Sequence, residues 1–233
     1  PTGEKESEVL YKDGFPANSG VGYHRNGAKK SVFQLLNGVK HGSDTRFFET
    51  GERQAEYTFH YGVLHGQGRT YDKKGHLLAK VDYAAGLAQG YEEHYHANGK
   101  TRFRVKRVAD LRQGDANLSN EQGVRIATLP YKDGALDGLE RRYQGDGRTL
   151  KARFLWRKDL LHGVAVLLYA DGIHKHIELP FVEGQIQGIE KRYYRSGQLK
   201  SETPRNAGVA AGMGTLYFEK PAAGTLDVPL MKI

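Results

Sequence analysis

Large apolar side chains return at every second position in short runs: Phe33 and Leu35, Tyr57 and Phe59, Val81 and Tyr83. Alternation at period two puts such residues on one face of a strand and their neighbours on the other. Ahead of these runs stands an aromatic residue, at Tyr23, Phe47, Tyr71, Tyr95, Tyr143, Tyr193 and Tyr217, each four residues before a glycine or its equivalent. Between aromatic and glycine lies a polar turn such as Arg25-Asn26-Gly27 or Ala97-Asn98-Gly99. Asn-Gly tolerates the positive φ that a tight hairpin turn requires, so each stretch predicts one β-hairpin.

Glycines set the register of these hairpins. An opening glycine, a second four residues on and a third nine beyond it recur with a period of 24 residues. Units start at Gly14, Gly38, Gly62, Gly86, Asp110, Gly134, Asp159, Gly184 and Gly208. Self-similarity at a fixed period marks a repeat protein. The Gly-x-x-x-Gly segment predicts the second turn, which leads into the next hairpin. Two intervals of 25 residues, beginning at Gly134 and at Asp159, break the even parity and predict a β-bulge in each. Pro130, Pro180 and Pro204 stand four residues before an opening position and predict strand ends. The fifth unit is degenerate, with Asp110 for glycine and Ser119 for the aromatic. Asn18 and Pro221 depart from the pattern at the two ends, as capping units of an array do.

The expected fold is all-β: an elongated, twisted antiparallel β-ribbon of about nine 24-residue hairpin repeats, curved with a groove. A single layer of that length must twist and curl to bury its aromatic face. Residues 1–13 read as a polar lead-in with one short strand around Val9–Tyr11, and residues 14–221 as a single repeat domain. Residues 222–233 read as a tail or cap that folds back over the last hairpin.

Composition narrows the functional classes. Thirty glycines, 14 tyrosines and nine phenylalanines in 233 residues describe turn-rich β structure rather than disorder. The absence of cysteine excludes disulfides, thiolate zinc sites and a thiol nucleophile. No apolar run approaches the roughly 20 residues that span a bilayer as a helix. A formal net charge of +8 favours acidic partners. The chain begins Pro-Thr-Gly-Glu, which reads as a trimmed or mature form.

Catalytic patterns are missing from the sequence. There is no Gly-x-Ser-x-Gly elbow, phosphate loop or His-Glu-x-x-His, and the glycines are spaced for hairpins rather than for a helix N-terminus. Two histidine pairs, His94 with His96 and His174 with His176, could each share a strand face. Neither has a third ligand at fixed spacing, so both read as solvated strand histidines. The chain is read as a non-enzyme without metal or cofactor.

Two basic clusters stand out. The first includes Arg102 and Arg104; the second includes Arg141, Arg142, Arg153 and Arg157 around the sole tryptophan, Trp156. Lys191 and Arg192 join them as candidate partner-binding residues. The clusters read either as ordinary solvated strand faces, where cations also guard edges, or as a surface for an acidic partner with Trp156 and Arg153 as anchors. No nucleic-acid module accompanies the positive charge, so nucleic acid is not expected as a partner.

The repeat resembles the bacterial MORN-repeat variant family. Gly38-Val-Lys-His-Gly42, Tyr95-His-Ala-Asn-Gly99, and Gly184-Gln-Ile-Gln-Gly188 through Tyr193 to Gly197 carry the likeness, which extends over residues 14 to about 220. The resemblance implies an antiparallel ribbon used for protein or lipid contacts. It further implies an antitoxin or immunity protein that binds a cognate secreted toxin one-to-one and occludes its active site. A lipase or phospholipase delivered by type VI secretion is the toxin this company suggests, met in the periplasm, with the cytoplasm as the alternative. The competing implication is a scaffold that binds anionic phospholipid surfaces.

Overall fold

The computed structural model describes residues 3–12 and 14–220, and over these it contains strands and turns but no helix. The chain divides between Asp137 and Gly138 into two compact units. The first holds β1 (Ser7–Lys12), β2 (Phe15–Tyr23), β3 (Lys29–Leu36), β4 (Val39–Phe47), β5 (Arg53–His60), β6 (Val63–Leu64) and β7 (Gly66–Tyr71). It continues through β8 (Leu77–Ala84), β9 (Leu87–Tyr95), β10 (Thr101–Val108), β11 (Leu111–Ser119), β12 (Arg125–Lys132) and β13 (Ala135–Leu136). The second holds β14 (Gly138–Tyr143), β15 (Leu150–Arg157), β16 (Leu160–Leu161), β17 (Gly163–Leu168) and β18 (Lys175–Val182). It ends with β19 (Gln185–Ile186), β20 (Gly188–Tyr193), β21 (Leu199–Asn206), β22 (Val209–Ala210) and β23 (Thr215–Leu216). Within each unit neighbouring strands pair antiparallel into an open sheet. The lead-in strand is β1, which pairs with β2. The expected tail, residues 222–233, lies outside the described residues.

The three glycines of a repeat do three different jobs. Both turn residues have positive φ at Asn37-Gly38 (50° and 80°) and at Tyr61-Gly62 (47° and 82°), the signature of a two-residue type I′ turn. The second glycine, Gly42 (φ 91°), sits where the β3–β4 register slips between Phe33 and Leu35, so it forms a bulge. The third closes a three-residue loop: the His24 N–H donates to Ala28 O at 2.8 Å, with Gly27 at φ 82°. This corrects the expectation for the Asn-Gly pairs. Only the glycine is left-handed there, and Asn26 serves another purpose. Its Oδ1 accepts from the Ala28 N–H at 3.0 Å, while its Nδ2 donates to Glu49 O in the next repeat at 3.2 Å.

Two further expectations change. The extra residues of the 25-residue units enter the loops rather than a strand bulge. The closing hydrogen bond spans five positions, Gln144 to Thr149 and Tyr169 to His174, instead of four. Asp146 and Asp171 accept from the added backbone N–H groups at 2.8–3.0 Å, so the loops close and strand parity is kept. The prolines stand inside β12, β18 and β21 rather than at strand ends. Each faces a bulge, where the missing N–H is harmless, and its carbonyl accepts at 2.9 Å from Asp137, Gln187 or Ala211. The fifth unit forms a full hairpin of β11 and β12. Asp110 holds the turn at φ 67°, and its Oδ1 accepts from the Ala88 N–H at 2.6 Å.

Within each unit, polar side chains link neighbouring hairpins. His24 meets Phe47 O and His96 meets Ser119 O, both at 2.9 Å; Tyr169 donates to Tyr193 O at 2.7 Å. The recurrent tyrosine reaches back to a glutamate on the earlier strand paired with its own, Tyr71 to Glu56 at 2.7 Å and Tyr193 to Glu178 at 2.6 Å. Such links consume side chains that would otherwise be free to bind.

Candidate interaction surface

Pairing register assigns every side chain to one of two faces. On the aromatic face the seventh position of successive repeats reads Gly20, Asp44, Gly68, Glu92 and Ala116 in the first unit, then Glu140, Ala165 and Glu190 in the second. Buried acids thus alternate with small residues. Asp44 and Glu140 are 1% exposed, Glu92 and Glu190 4%. The small positions are needed for space, since a Cβ on Gly68 would stand 2.9 Å from the Tyr83 ring and 3.0 Å from Tyr57.

Each buried carboxylate is paired, as the cost of burying a charge demands. Glu92 accepts from Arg112 at 2.7 Å and interacts with His94 at 2.7 Å, with Arg107 at 3.2 Å. Burial pushes the Glu92 carboxyl upward, but these donors and charges outweigh it and hold its pKa at about 2. Burial likewise opposes ionisation of Glu190, and Arg192 and Arg205 pull its pKa below the ordinary value. Asp44 takes Lys40 at 2.5 Å.

Around Glu140 the same logic fixes the tryptophan. The Trp156 indole N–H donates to Glu140 Oε2 at 2.7 Å, and Arg142 Nε donates to Oε1 at 2.5 Å. The Arg142 guanidinium then lies 4.7 Å from the centre of the Phe154 ring. Trp156 and Arg142 therefore belong to the aromatic face. Arg141 lies directly opposite Arg153 on the other face, and Arg157, four residues beyond Arg153 on β15, shares that side. The expected basic cluster is split by the sheet.

All but one of the remaining candidates are engaged. Lys191 pairs with Glu202 at 3.4 Å on the charged face, and Arg192 with Glu190 at 2.7 Å on the aromatic one. Arg104 meets Glu93 at 3.0 Å and stacks 3.8 Å from the Tyr91 ring centre. Arg102 is exposed beside a 250 Å³ cavity lined also by Phe103, Arg112 and Tyr131. The histidine pairs have internal partners as well: His174 meets Asp171 at 3.0 Å, and His176 stacks on Tyr169 at 4.5 Å. No group of three or more metal-ligating side chains occurs among the described residues.

On the charged face the two units differ. Cross-strand pairing gives the first unit a row of Glu56, Arg69, Lys80, Glu93 and Arg104, and the second a row of Arg141, Arg153, Val166, Glu178, Lys191 and Glu202. The adjacent row is polar in the first unit, where Ser43 faces Thr58 and Gln67 faces Asp82. In the second it is apolar: Leu139 faces Leu155, Val164 faces Pro180 and Ile189 faces Pro204. Leu155 is 38% exposed, Val164 52% and Ile189 48%. Sequence reading missed this row, although comparing the sixth position across units (Ser43, Gln67, Tyr91 and Asp115, then Leu139, Val164 and Ile189) shows the change to aliphatic residues.

Family comparisons bear on the repeat itself. Residues 58–76 and 155–173 match the MORN repeat, and residues 186–206 match the MORN repeat variant. The chain carries MORN repeats. Comparison of this MORN-repeat chain with curated proteins gives no match. Among solved structures it is similar to the accessory secretory protein 1, 2 and 3 structure of Streptococcus pneumoniae, at 16% identity and a TM-score of 0.30. It is also similar to the Glycosylation Associate Protein complex of Streptococcus agalactiae, at 14% identity and a TM-score of 0.30. The matches cover 51% and 52% of this chain but only 22% of either neighbour.

Proposed function

We propose that this MORN-repeat chain is a non-enzymatic binding scaffold whose partner is a protein, and that the partner is a toxic effector held in an inhibited one-to-one complex. The observation that carries the scaffold reading is the division of labour among side chains. Recurrent polar groups tie hairpin to hairpin, while the second unit leaves Leu155, Val164 and Ile189 exposed beside Arg141 and Arg153. Surfaces that combine exposed apolar residues with arginine are typical of protein contacts. The effector reading rests on the resemblance of the repeat to bacterial variants that act as antitoxins. A lipase or phospholipase delivered by type VI secretion fits that reading, and the periplasm is the compartment where the two would meet.

The test is affinity purification of the tagged chain from its source cells, followed by reconstitution with the identified protein. The expected result is a stoichiometric complex in which the partner loses its activity and its toxicity. A stable partner with unaltered activity refutes neutralisation and leaves the scaffold reading standing; no stoichiometric partner refutes both.

A second reading has its own observation. At the type I′ turns of the first unit Val39, Val63, Leu87 and Leu111 recur at one position, 43–45% exposed. A regular apolar ridge of this kind suits a membrane interface. Flotation with phosphatidylserine vesicles tests it: co-flotation lost in Val63→Asp/Leu87→Asp supports the lipid reading, and no co-flotation at low salt excludes it.

A further inference from the structure

Like charges set directly opposite on adjacent antiparallel strands repel. Elsewhere on the charged face such charges are answered: Glu56 meets Arg69 at 3.8 Å, Lys175 meets Glu178 at 2.6 Å, and Lys191 meets Glu202 at 3.4 Å. Even the like pair Arg69–Lys80 is relieved, Arg69 by Gln67 at 2.9 Å and Lys80 by the Tyr95 ring at 5.4 Å. The Arg141–Arg153 pair is the exception. Among the described residues neither guanidinium has a hydrogen bond, an ion pair or an aromatic stack. Leu139 and Leu155 lie one pair further along the same two strands on the same face, at the start of the apolar row.

Resting on the scaffold reading above, we infer that this face of the second unit docks a protein segment with two features. It sets an Asp or Glu carboxylate between Arg141 and Arg153, and it lays branched or aromatic side chains along Leu155, Val164 and Ile189. Charge complementarity selects this occupant. Two unanswered guanidiniums on directly paired residues can each donate to one oxygen of a carboxylate, and desolvation by the apolar row strengthens that contact. A nucleic acid would satisfy the arginines but leave the half-exposed aliphatic row uncovered. A uniformly anionic membrane would meet Glu178 and Glu202 on the same face. A protein segment can offer the required pattern of charge and apolar surface.

The test is a display selection against the whole chain, using libraries of 12-residue peptides and of a small folded scaffold with randomised surface positions. The inference expects enriched binders in which Asp or Glu adjoins aliphatic or aromatic residues. Arg141→Glu/Arg153→Glu weakens them at least tenfold and Ile189→Asp comparably, whereas Arg69→Glu in the first unit changes affinity less than twofold. Circular dichroism of each variant confirms the fold, and Arg141→Gln/Arg153→Gln serves as a milder replacement should charge reversal disturb it. Binders that lack acidic residues, or that bind the double variant as well as the parent chain, overturn the inference. Phosphatidylserine vesicles form the membrane arm, and flotation abolished by Arg141→Glu/Arg153→Glu also overturns it. A natural partner that binds the double variant with full affinity removes this surface assignment while leaving the scaffold reading intact.

Discussion

Trp156 donates its indole N–H to the buried Glu140 at 2.7 Å, on the opposite face of the strand from Arg153 three residues earlier. The residue that looked like an interface anchor is a fixed part of the aromatic face. Replacing Glu140 with Ala leaves the indole N–H and the Arg142 guanidinium without their acceptor, at a cost of about 2 kcal/mol. Thermal unfolding monitored by tryptophan emission should show a lower midpoint, with native emission shifted from the parent.

Acid should loosen the first unit through Glu92. Its pKa is held near 2 against an ordinary value of 4.5, because Arg112, His94 and Arg107 together outweigh burial. A carboxylate depressed on folding contributes stability that is full above its unfolded pKa and is lost as pH falls through the folded one. Unfolding midpoints measured from pH 6 to pH 2 should therefore fall more steeply in the parent than in Glu92→Gln. At neutral pH the variant should be the less stable by about 2 kcal/mol, because two arginines lose their counter-charge.

Asp110 combines a left-handed backbone with a hydrogen bond to Ala88. Asp110→Ala keeps the backbone strain and loses the bond, and should cost about 1.5 kcal/mol. Asp110→Asn retains an acceptor and tolerates the conformation, so its change should stay within about 0.5 kcal/mol. Chemical denaturation of both variants checks the pair.

At Gly68 the absent side chain matters for space. A Cβ there would press on Tyr57 and Tyr83, so Gly68→Ala should cost about 1–3 kcal/mol through overpacking. Gly51 has open space but a φ of 99°, and Gly51→Ala should cost about 1 kcal/mol through backbone strain alone. Denaturation midpoints that reverse this order would contradict the packing.

The repeat and its β-hairpins were legible because glycine spacing and period-two alternation report backbone needs directly. The type of turn was not. Asn26-Gly27 carries the signature of a type I′ pair, yet that turn falls at Asn37-Gly38, because both sites contain the same dipeptide and only pairing register separates them. The faces of the basic cluster were equally hidden. Arg153 and Trp156 are three apart on a strand and must diverge, which counting from the strand would have shown, but neighbours in sequence suggested a patch. The alternation of Asp44, Gly68 and Glu92 has a period of two repeats and is invisible when units are compared one by one.

Hydrogen exchange of the chain alone and in its reconstituted complex tests the central claim most directly. The account of a docking face on the second unit predicts that partner binding slows exchange in β14, β15, β17, β18 and β20, which carry Arg141, Arg153, Val164, Pro180 and Ile189, and leaves β3 to β8 unchanged. Protection confined to the first unit, or none in either, would contradict it.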